Sequence, residues 1–350
     1  MNKYNNHVLS KIKAFAIILM VIGHTDCNRL LHDTMYLFHM PCFFLCSGYF
    51  FKCAENNTDL INMLGRKIKR LYIPYLKYGL LMVAFHNVFS FLYLYDNRII
   101  DGVEFKKHYE ICDYLYNFGR TLIMRTSEPF LGGYWFIRDL FLSTILMLFL
   151  KRIFHYWKFV YLILIPFCVY AVSCNLAIPI VGNVTGLLEA TLFIGLGMFW
   201  KEKENIFPVD IRVSFIILIV LVITAYICKH EISISRVTVS EMPILLISGL
   251  LGFYMLYIIG SKLSNNMINN FLVYIGNNTL LILTFHLVAF KVVSSAYVFF
   301  TKSDLSLLAS LPTILNLSNC WIIIYSIFGV LLPLLVPLSL KKIQSFKHFL

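Results

Sequence analysis

The strongest structural signal in the chain is an uninterrupted apolar run near its middle. The run reads VSFIILIVLVITAYIC over residues 213–228 and contains no charged side chain. A helix needs about 20 mainly apolar residues to cross the hydrocarbon core of a bilayer. Together with the residues before it, this run predicts one membrane-spanning helix over 209–228.

Nine further segments have a similar apolar character, so about ten transmembrane helices are expected in total. The composition agrees, because 59% of the 350 residues are hydrophobic and only 14% are charged, whereas soluble domains are about a quarter charged. We therefore expect an all-α, polytopic integral membrane protein and exclude a disordered chain. The other nine segments are 13–31, 34–52, 71–95, 131–150, 159–178, 184–200, 243–260, 271–298 and 312–338.

The positive charges predict the orientation of the chain in the membrane. The net charge is +12, and Lys and Arg occur about twice as often on the side of the N-terminus as on the opposite side. This bias predicts both termini in the cytoplasm, in a multi-pass protein of the cell inner (cytoplasmic) membrane, and gives no reason to expect a nucleic-acid partner. Only the connection over 96–128 is long enough for a small structure of its own, so we expect one transmembrane domain over 1–350.

Ionisable side chains within membrane helices are functional candidates, because they are costly unless paired or facing water. Lys13 and His24 are eleven residues apart, which places them on one helix face about 16 Å apart along the axis. We expect Lys13 at the cytoplasmic mouth and His24 deep in the first span. A cation suits an anionic ligand, and a histidine suits a general base. The alternative is a lysine that sets orientation and a histidine bonded to a neighbouring helix.

A cluster of four cations precedes the third predicted span. Arg66, Lys67, Lys69 and Arg70 stand within five residues, followed by Pro74. Such a cluster holds a chain against anionic lipid, or it grips phosphates, for which arginine is geometrically suited. Both interpretations stay open at this point.

His39 lies in the second predicted span, two residues before Pro41. Because proline interrupts the helical ladder, Pro41 is expected to open room beside His39. Ser47 and Gly48 follow, and small residues of this kind predict a close approach of two helices.

His286 and Trp135 stand in two other predicted spans. His286 shares a helix face with Thr279 and is expected either to line the same cavity as His24 or to make a structural hydrogen bond. Trp135 and Arg138 open the fourth span. They predict either a sugar-binding pair or an interfacial tryptophan with an arginine that pairs with Asp139 or Glu189.

The nine cysteines do not follow a metal-binding pattern. No CxxC pair is followed by a second pair or by paired histidines, so no metal is expected. Most of these cysteines are interpreted as small buried hydrophobes. A disulfide involving Cys112 remains open.

Several of these residues together form a recognisable pattern. The chain resembles acyltransferase family 3, a family of integral membrane enzymes, and is most similar to the fucose 4-O-acetyltransferase-like branch. Segments around Trp135 and from Ile275-Gly276-Asn277 to His286 also resemble parts of this family. The specific motifs are Lys13 and His24 with ten residues between them, Phe38-His39-Met40-Pro41, Phe43-Phe44-Leu45-Cys46-Ser47-Gly48-Tyr49, and Lys67 with Arg70 and Pro74.

The resemblance implies a ten-helix acyltransferase with cytoplasmic termini. Such enzymes move an acyl group, usually acetyl, from a cytoplasmic coenzyme A thioester to a sugar hydroxyl of a bacterial surface polysaccharide or its precursor. Acetyl-CoA is then the donor substrate, no bound cofactor is required, and the other partners are the sugar acceptor and membrane lipid. The implied roles are His24 as general base; Lys13, Arg66, Lys67 and Arg70 in acyl-CoA binding; and His39, Trp135, Arg138 and His286 on the acceptor side.

A transporter or exporter of a polysaccharide or small solute is the alternative function. It too would have about ten spans with buried charge. Transporters commonly carry internal repeats with interrupted helices at matching positions, and the sequence shows no such repeat.

Overall fold

The computed structural model describes residues 3–100, 103–154, 158–178, 182–234, 236–263 and 265–347. Within these ranges the chain forms fifteen α-helices and four short β-strands. The helices are α1 (Lys3–Gly23), α2 (Arg29–Tyr36), α3 (His39–Tyr49), α4 (Asn57–Lys67), α5 (Ile73–Ala84), α6 (His86–Phe91), α7 (Ile111–Leu122), α8 (Tyr134–Ile153), α9 (Lys158–Ser173), α10 (Val184–Lys203), α11 (Ile211–Cys228), α12 (Met242–Lys262), α13 (Asn266–Asn277), α14 (Thr279–Thr301) and α15 (Asn319–Lys347). The strands are β1 (Arg98–Ile100), β2 (Val103–Phe105), β3 (Ala177–Ile178) and β4 (Gly182–Asn183).

Every one of the ten predicted spans contains helix. Among the described residues, five helices are long and apolar enough to cross a membrane, and two shorter apolar helices accompany them. The prediction of an all-α, polytopic membrane protein is therefore confirmed. The five cover Asn6–Gly23, Val184–Ile206, Ile211–Cys228, Met242–Lys262 and Thr279–Thr301, and the shorter two cover Val160–Ser173 and Asn319–Leu335.

Helix α11 shows most directly that much of the surface faces lipid. Its buried residues are Ser214, Ile217, Leu221 and Ala225, which form one stripe at helical spacing. Most of its other residues are apolar and many of them are exposed, with Phe215 at 62%. An aqueous solvent would penalise such a surface, whereas hydrocarbon does not.

The first predicted span ends earlier than expected. Helix α1 stops at Gly23, and a new helix, α2, begins six residues later. Asn28 caps α2, since its side-chain oxygen accepts a hydrogen bond from the Leu30 backbone N–H at 2.9 Å. His24 therefore follows the last helical residue of α1, which corrects the prediction that it lies within the first helix.

The second predicted span is also divided. Helix α2 ends at Tyr36, and α3 begins at His39. Pro41 occupies the first turn of α3, where its missing N–H has no helical partner to lose. It therefore starts a helix and does not interrupt one, which corrects the prediction made for Pro41. Helix α3 has 11 residues, about 16 Å, so it is too short to cross the hydrocarbon core alone.

Two further predicted spans contain a break. The segment 71–95 comprises α5 and α6, which meet at Phe85, where the backbone leaves helical geometry. The segment 271–298 comprises the end of α13 and most of α14, which meet at Asn278. Apolar content does not reveal such breaks, because both sides of each break are equally apolar.

The described chain divides into two compact units. Unit 1 comprises the residues up to Ala16, Asn28–Tyr75 and Trp135–Asn277, and unit 2 comprises Ile17–Cys27, Leu76–Tyr134 and the residues from Asn278 onward.

Unit 1 is centred on the contact between α3 and α10. Helix α3 packs against both α10 and α12, and α11 packs against α12. Gly48 lies against the Ile194 carbonyl, and Gly197 lies against the Leu45 carbonyl, so the two backbones touch at both places. The predicted close approach at Ser47 and Gly48 is confirmed, and the physical reason is the absence of side chains at the contact.

Unit 2 contains α14 packed against α15 and the segment that joins α6 to α8. Gly329 of α15 lies against the Phe290 ring of α14 and the Val21 side chain of α1. In the joining segment, β1 pairs antiparallel with β2, with Ile99 opposite Glu104, and α7 follows. The expectation that residues 96–128 form a small structure is confirmed.

We expect Gly48→Ala to destabilise the protein. The added Cβ would overlap the Ile194 carbonyl oxygen, and because that atom is backbone, two helices would have to separate. Overpacking of this kind costs about 1–3 kcal/mol. Thermal unfolding in nanodiscs measures the effect. Gly119→Ala is the matched control, because it is also helical and nothing lies within 4 Å of its added Cβ. Equal melting temperatures for the two variants would contradict the close contact.

Candidate active site

Helix α13 holds the N-terminal half of α1, which carries Lys13. Ser10 Oγ donates a hydrogen bond to Asn277 Oδ1 at 3.0 Å, and Lys11 Nζ donates to Asn269 Oδ1 at 3.2 Å. Gly276 lies directly against the Ser10 carbonyl, where any side chain would clash. The Ile275-Gly276-Asn277 stretch thus fixes α1 at Ser10, about one helical turn before Lys13 in the sequence.

Lys13 itself is half-buried in unit 1. Its neighbours on α1, Ile12 and Ala14, are fully buried, and the Cys46 thiol of α3 lies within electrostatic range of its ammonium. Cys46 is turned toward the backbone of α1, with its Sγ 3.9 Å from the Leu9 carbonyl oxygen. Lys13 is therefore placed among packed helices, unlike a lysine that lies in the headgroup layer.

The basic cluster lies where α4 passes into a π-helical turn at Ile68–Tyr72. Pro74 has no N–H to bond to the Arg70 carbonyl, and the Ile73 N–H bonds to the Ile68 carbonyl five residues back. Single π-helical turns are frequent at functional sites. The turn follows directly from the proline of the sequence motif.

Lys67 differs from the other cations of the cluster. Arg66, Lys69 and Arg70 are exposed, whereas Lys67 is half-buried. Burial, together with the positive charges of Arg70 and Arg66, lowers the pKa of Lys67 to about 8. A bound anion would relieve this repulsion.

His24 lies in an ordered turn of unit 2. Thr25 Oγ1 donates a hydrogen bond to the Ile22 carbonyl at 2.6 Å, and the Asp26 carboxylate accepts one from the Asn316 N–H at 2.7 Å. The half-buried His24 ring lies beside the ring of His286, with 5.2 Å between their centroids and 36° between their planes. The structure thus brings together two histidines that are 262 positions apart in the chain.

The hydrogen bonds of His286 determine its tautomer. Its Nδ1 lies 3.1 Å from the Ile282 carbonyl oxygen and 2.9 Å from that of Leu283, so Nδ1 carries the proton. Nε2 is buried and has no hydrogen-bond partner in the described part of the chain. The structural hydrogen bond considered for His286 therefore exists, and it leaves one nitrogen lone pair unused.

His39 and Arg138 both have partners in unit 1. The buried His39 donates from Nδ1 to the Met35 carbonyl at 2.7 Å, and its ring lies edge-on to Tyr36 with centroids 4.8 Å apart. Arg138 Nε donates to Asp139 Oδ1 at 2.8 Å, so the predicted pairing with Asp139 is confirmed. Trp135 is half-buried and stands three residues before Arg138 in the sequence.

A buried His86–Glu128 pair in unit 2 was not anticipated. His86 Nδ1 lies 3.1 Å from Glu128 Oε2, and its Nε2 lies 3.0 Å from the Lys106 carbonyl oxygen. Both ring nitrogens of His86 therefore have oxygen partners. The Tyr109 ring stacks on it at 3.4 Å, and burial beside the Glu128 carboxylate raises the pKa of Tyr109. His86 lies within the predicted span 71–95, so the criterion that selected His24 would also have selected it.

A family model described as an acyltransferase domain matches residues 9–336. The chain belongs to acyltransferase family 3. No curated protein and no solved structure shows significant similarity to it. The matched region includes Lys13, His24, the basic cluster and His286, so the protein is a multi-pass membrane acyltransferase whose candidate residues all lie within the acyltransferase domain.

The candidate residues of this acyltransferase fall in both units. Unit 1 holds Lys13, the basic cluster, His39, Trp135 and Arg138, while unit 2 holds His24 and His286. Among the predicted site residues that the structure describes, His24 and His286 are brought together by a direct ring contact. Cys112 is exposed on α7 and forms no disulfide bond with any described residue.

We expect His86→Phe to destabilise unit 2 of the acyltransferase. Phenylalanine keeps a ring against Tyr109 but leaves Glu128 Oε2 and the Lys106 carbonyl without their contacts to His86, and an unsatisfied buried polar group costs about 1–3 kcal/mol. The variant should melt at a lower temperature in nanodiscs and should be cleaved faster by protease within residues 96–128. His108→Ala is the control, because His108 is exposed in the same segment. Unchanged melting and cleavage in His86→Phe would show that the pair contributes nothing to stability.

Proposed function

We propose that this acyltransferase moves an acetyl group from cytoplasmic acetyl-CoA to a hydroxyl of a surface polysaccharide or its precursor, with His24 as general base. The observation that carries the proposal is the half-buried His24 imidazole, held in an anchored turn at the end of α1 beside a second histidine. A neutral imidazole has one nitrogen lone pair that can accept a proton.

The reaction requires one proton acceptor and one leaving group. The sugar hydroxyl oxygen attacks the thioester carbonyl carbon while His24 removes the hydroxyl proton. The carbon–sulfur bond then breaks, coenzyme A leaves as a thiolate, and the proton on His24 returns to that sulfur. The products are an O-acetyl ester and coenzyme A, and His24 is neutral again. If the acetyl group were first transferred to His24, the reaction would need two acyl transfers, one from coenzyme A to His24 and one from His24 to the sugar hydroxyl.

The cations of unit 1 would bind the acetyl-CoA donor. Lys67 and Arg70, with Arg66 beside them, would bind the phosphates of coenzyme A, because phosphates form strong charge-assisted hydrogen bonds with such groups. Lys13, half-buried among packed helices, would add a further positive charge that attracts the anionic donor. The excess of positive charge on the same side supports a cytoplasmic location for the cluster, both termini inside and residence in the inner membrane.

The sugar acceptor would be bound by His39, Trp135 and Arg138. An aromatic ring and hydrogen-bonding side chains suit the apolar and polar faces of a sugar. Arg138 is already paired with Asp139 at 2.8 Å, so its guanidinium is held in one orientation and has further N–H groups to donate. These three residues belong to one unit of the structure.

We expect His24→Ala to abolish acetyl transfer while the protein still inserts in the membrane. Without a base, the rate should fall by a factor of about 10²–10⁴. The assay uses purified protein in nanodiscs, radiolabelled acetyl-CoA and a panel of methyl glycosides as acceptors. His7→Ala is the matched control, because His7 is also on α1 but is exposed.

Two outcomes of this assay would contradict the proposal. Full transfer by His24→Ala would exclude His24 as the base. Wild-type protein that neither binds nor turns over acetyl-CoA would favour the transporter alternative.

We expect Lys67→Gln and Arg70→Gln each to raise the KM for acetyl-CoA roughly tenfold or more, which matches one lost charge-assisted hydrogen bond. Because the pKa of Lys67 is lowered to about 8, its charge is lost as pH rises through that value, so kcat/KM should fall above pH of about 8 in the wild type. Lys67→Gln should lack this fall.

Lys69→Gln is the matched control for these variants. Lys69 is exposed, adjacent in sequence and outside the motif, and its loss changes the net charge by the same amount. If all three substitutions raise the KM equally, the cluster attracts the donor only through its general charge, and Lys67 and Arg70 have no specific role.

A further inference from the structure

Nε2 of His286 is a buried nitrogen beside His24 that has no hydrogen-bond partner among the described residues. Its residue is fully buried, and its lone pair has no hydrogen-bond donor among the described residues. Buried polar atoms usually have partners, because a lone pair in an apolar interior forfeits the hydrogen bonds of water. An exception beside a proposed catalytic base therefore requires a functional explanation.

The orientation of His286 is determined by groups of its own unit. Nδ1 is bonded to two carbonyls of α14, and the Phe290 ring stands edge-on to the imidazole with centroids 5.7 Å apart. The same stretch of α14 is held by Thr284, whose Oγ1 lies 3.1 Å from the Tyr134 hydroxyl oxygen. A Cβ on Gly133 would lie 2.9 Å from Leu283, so the glycine permits this packing. The imidazole is thus oriented before any substrate binds.

We propose that His286 is a positioning residue for His24, which it orients by accepting a hydrogen bond from its imidazole during the reaction. This inference rests on the proposed function of His24 as the base. A centroid distance of 5.2 Å is short enough for a modest ring movement to bring a His24 N–H to Nε2 of His286. The other nitrogen of His24 then carries the lone pair that receives the hydroxyl proton.

The hydrogen bond becomes stronger as the reaction proceeds. When His24 takes the hydroxyl proton it becomes an imidazolium, and hydrogen bonds from a charged donor are about twice as strong as neutral ones. Nε2 of His286 receives only a hydrogen bond, and the proton itself stays on His24 until it passes to the coenzyme A sulfur. This arrangement stabilises the transition state more than the ground state, so its loss should lower kcat.

The test measures acetyl-CoA hydrolysis with water as the acyl acceptor, in nanodiscs, by release of the coenzyme A thiol. His286→Leu should lower kcat roughly tenfold or more and leave the KM for acetyl-CoA unchanged. His286→Gln should recover most of the rate, because its amide oxygen can reach the position of Nε2. Ser294→Ala is the matched control, since it removes a buried hydrogen bond, to Tyr325, from the same helix.

The use of water as acceptor distinguishes a His286 that positions His24 from a His286 that only binds the sugar. A residue that only binds sugar leaves hydrolysis unchanged, so full hydrolysis by His286→Leu with a raised KM for a methyl glycoside would overturn the inference. If His286→Leu does not fold, His286→Asn replaces it, because its shorter amide cannot reach the Nε2 position. Equal rates for the Asn and Gln variants would then overturn the inference.

His24→Ala is measured in parallel to separate this inference from the proposed function. Loss of hydrolysis in His24→Ala with full hydrolysis in His286→Leu overturns the role of His286 alone. Retained hydrolysis in His24→Ala, or no thioester turnover by the wild type with water or methyl glycosides, overturns the proposed function and this inference with it.

Discussion

Hydrocarbon cannot form hydrogen bonds, so the buried polar groups of a membrane protein must find their partners within the chain. Lys291, buried within α14, donates to the Leu308 carbonyl at 2.9 Å, and Lys11 donates to Asn269. His86 is matched by Glu128 and a backbone carbonyl. Nε2 of His286 is buried beside His24 and has no partner among the described residues, so a substrate or a moving side chain could supply one there.

Glycine supplies the close contacts that hold these groups in place. Lipid offers little hydrophobic gain for helix association, so the helices of a membrane protein are held by packing and hydrogen bonds. Gly48 and Gly197 bring α3 and α10 into backbone contact, and Gly276 does the same for α13 and α1. The contact at Gly276 thus orients the N-terminal half of α1, which carries Lys13, and it needs few polar groups to do so.

Local chemistry also shapes the basic cluster. Pro74 removes one helical hydrogen bond, the π-helical turn follows, and Lys67 becomes half-buried beside two exposed arginines. Charge repulsion and burial then weaken the hold of Lys67 on its proton. A bound anion would stabilise the charged form of Lys67 and offset both effects. An orientation signal would need only exposed charges.

Composition and apolar runs were sufficient to predict an all-α membrane protein, because lipid selects for long apolar segments wherever a helix is to cross. The motifs at Lys13 and His24, at Phe38 to Tyr49 and at Lys67 to Pro74 were together sufficient to indicate the acyltransferase family, since they depend on residue types at fixed spacings. The breaks at Gly23, Phe85 and Asn278, and the meeting of His24 with His286, were decided only by the tertiary structure. Caps, backbone contacts and pairings between distant residues depend on which helices become neighbours, and the periodicity of one segment carries no information about its neighbours.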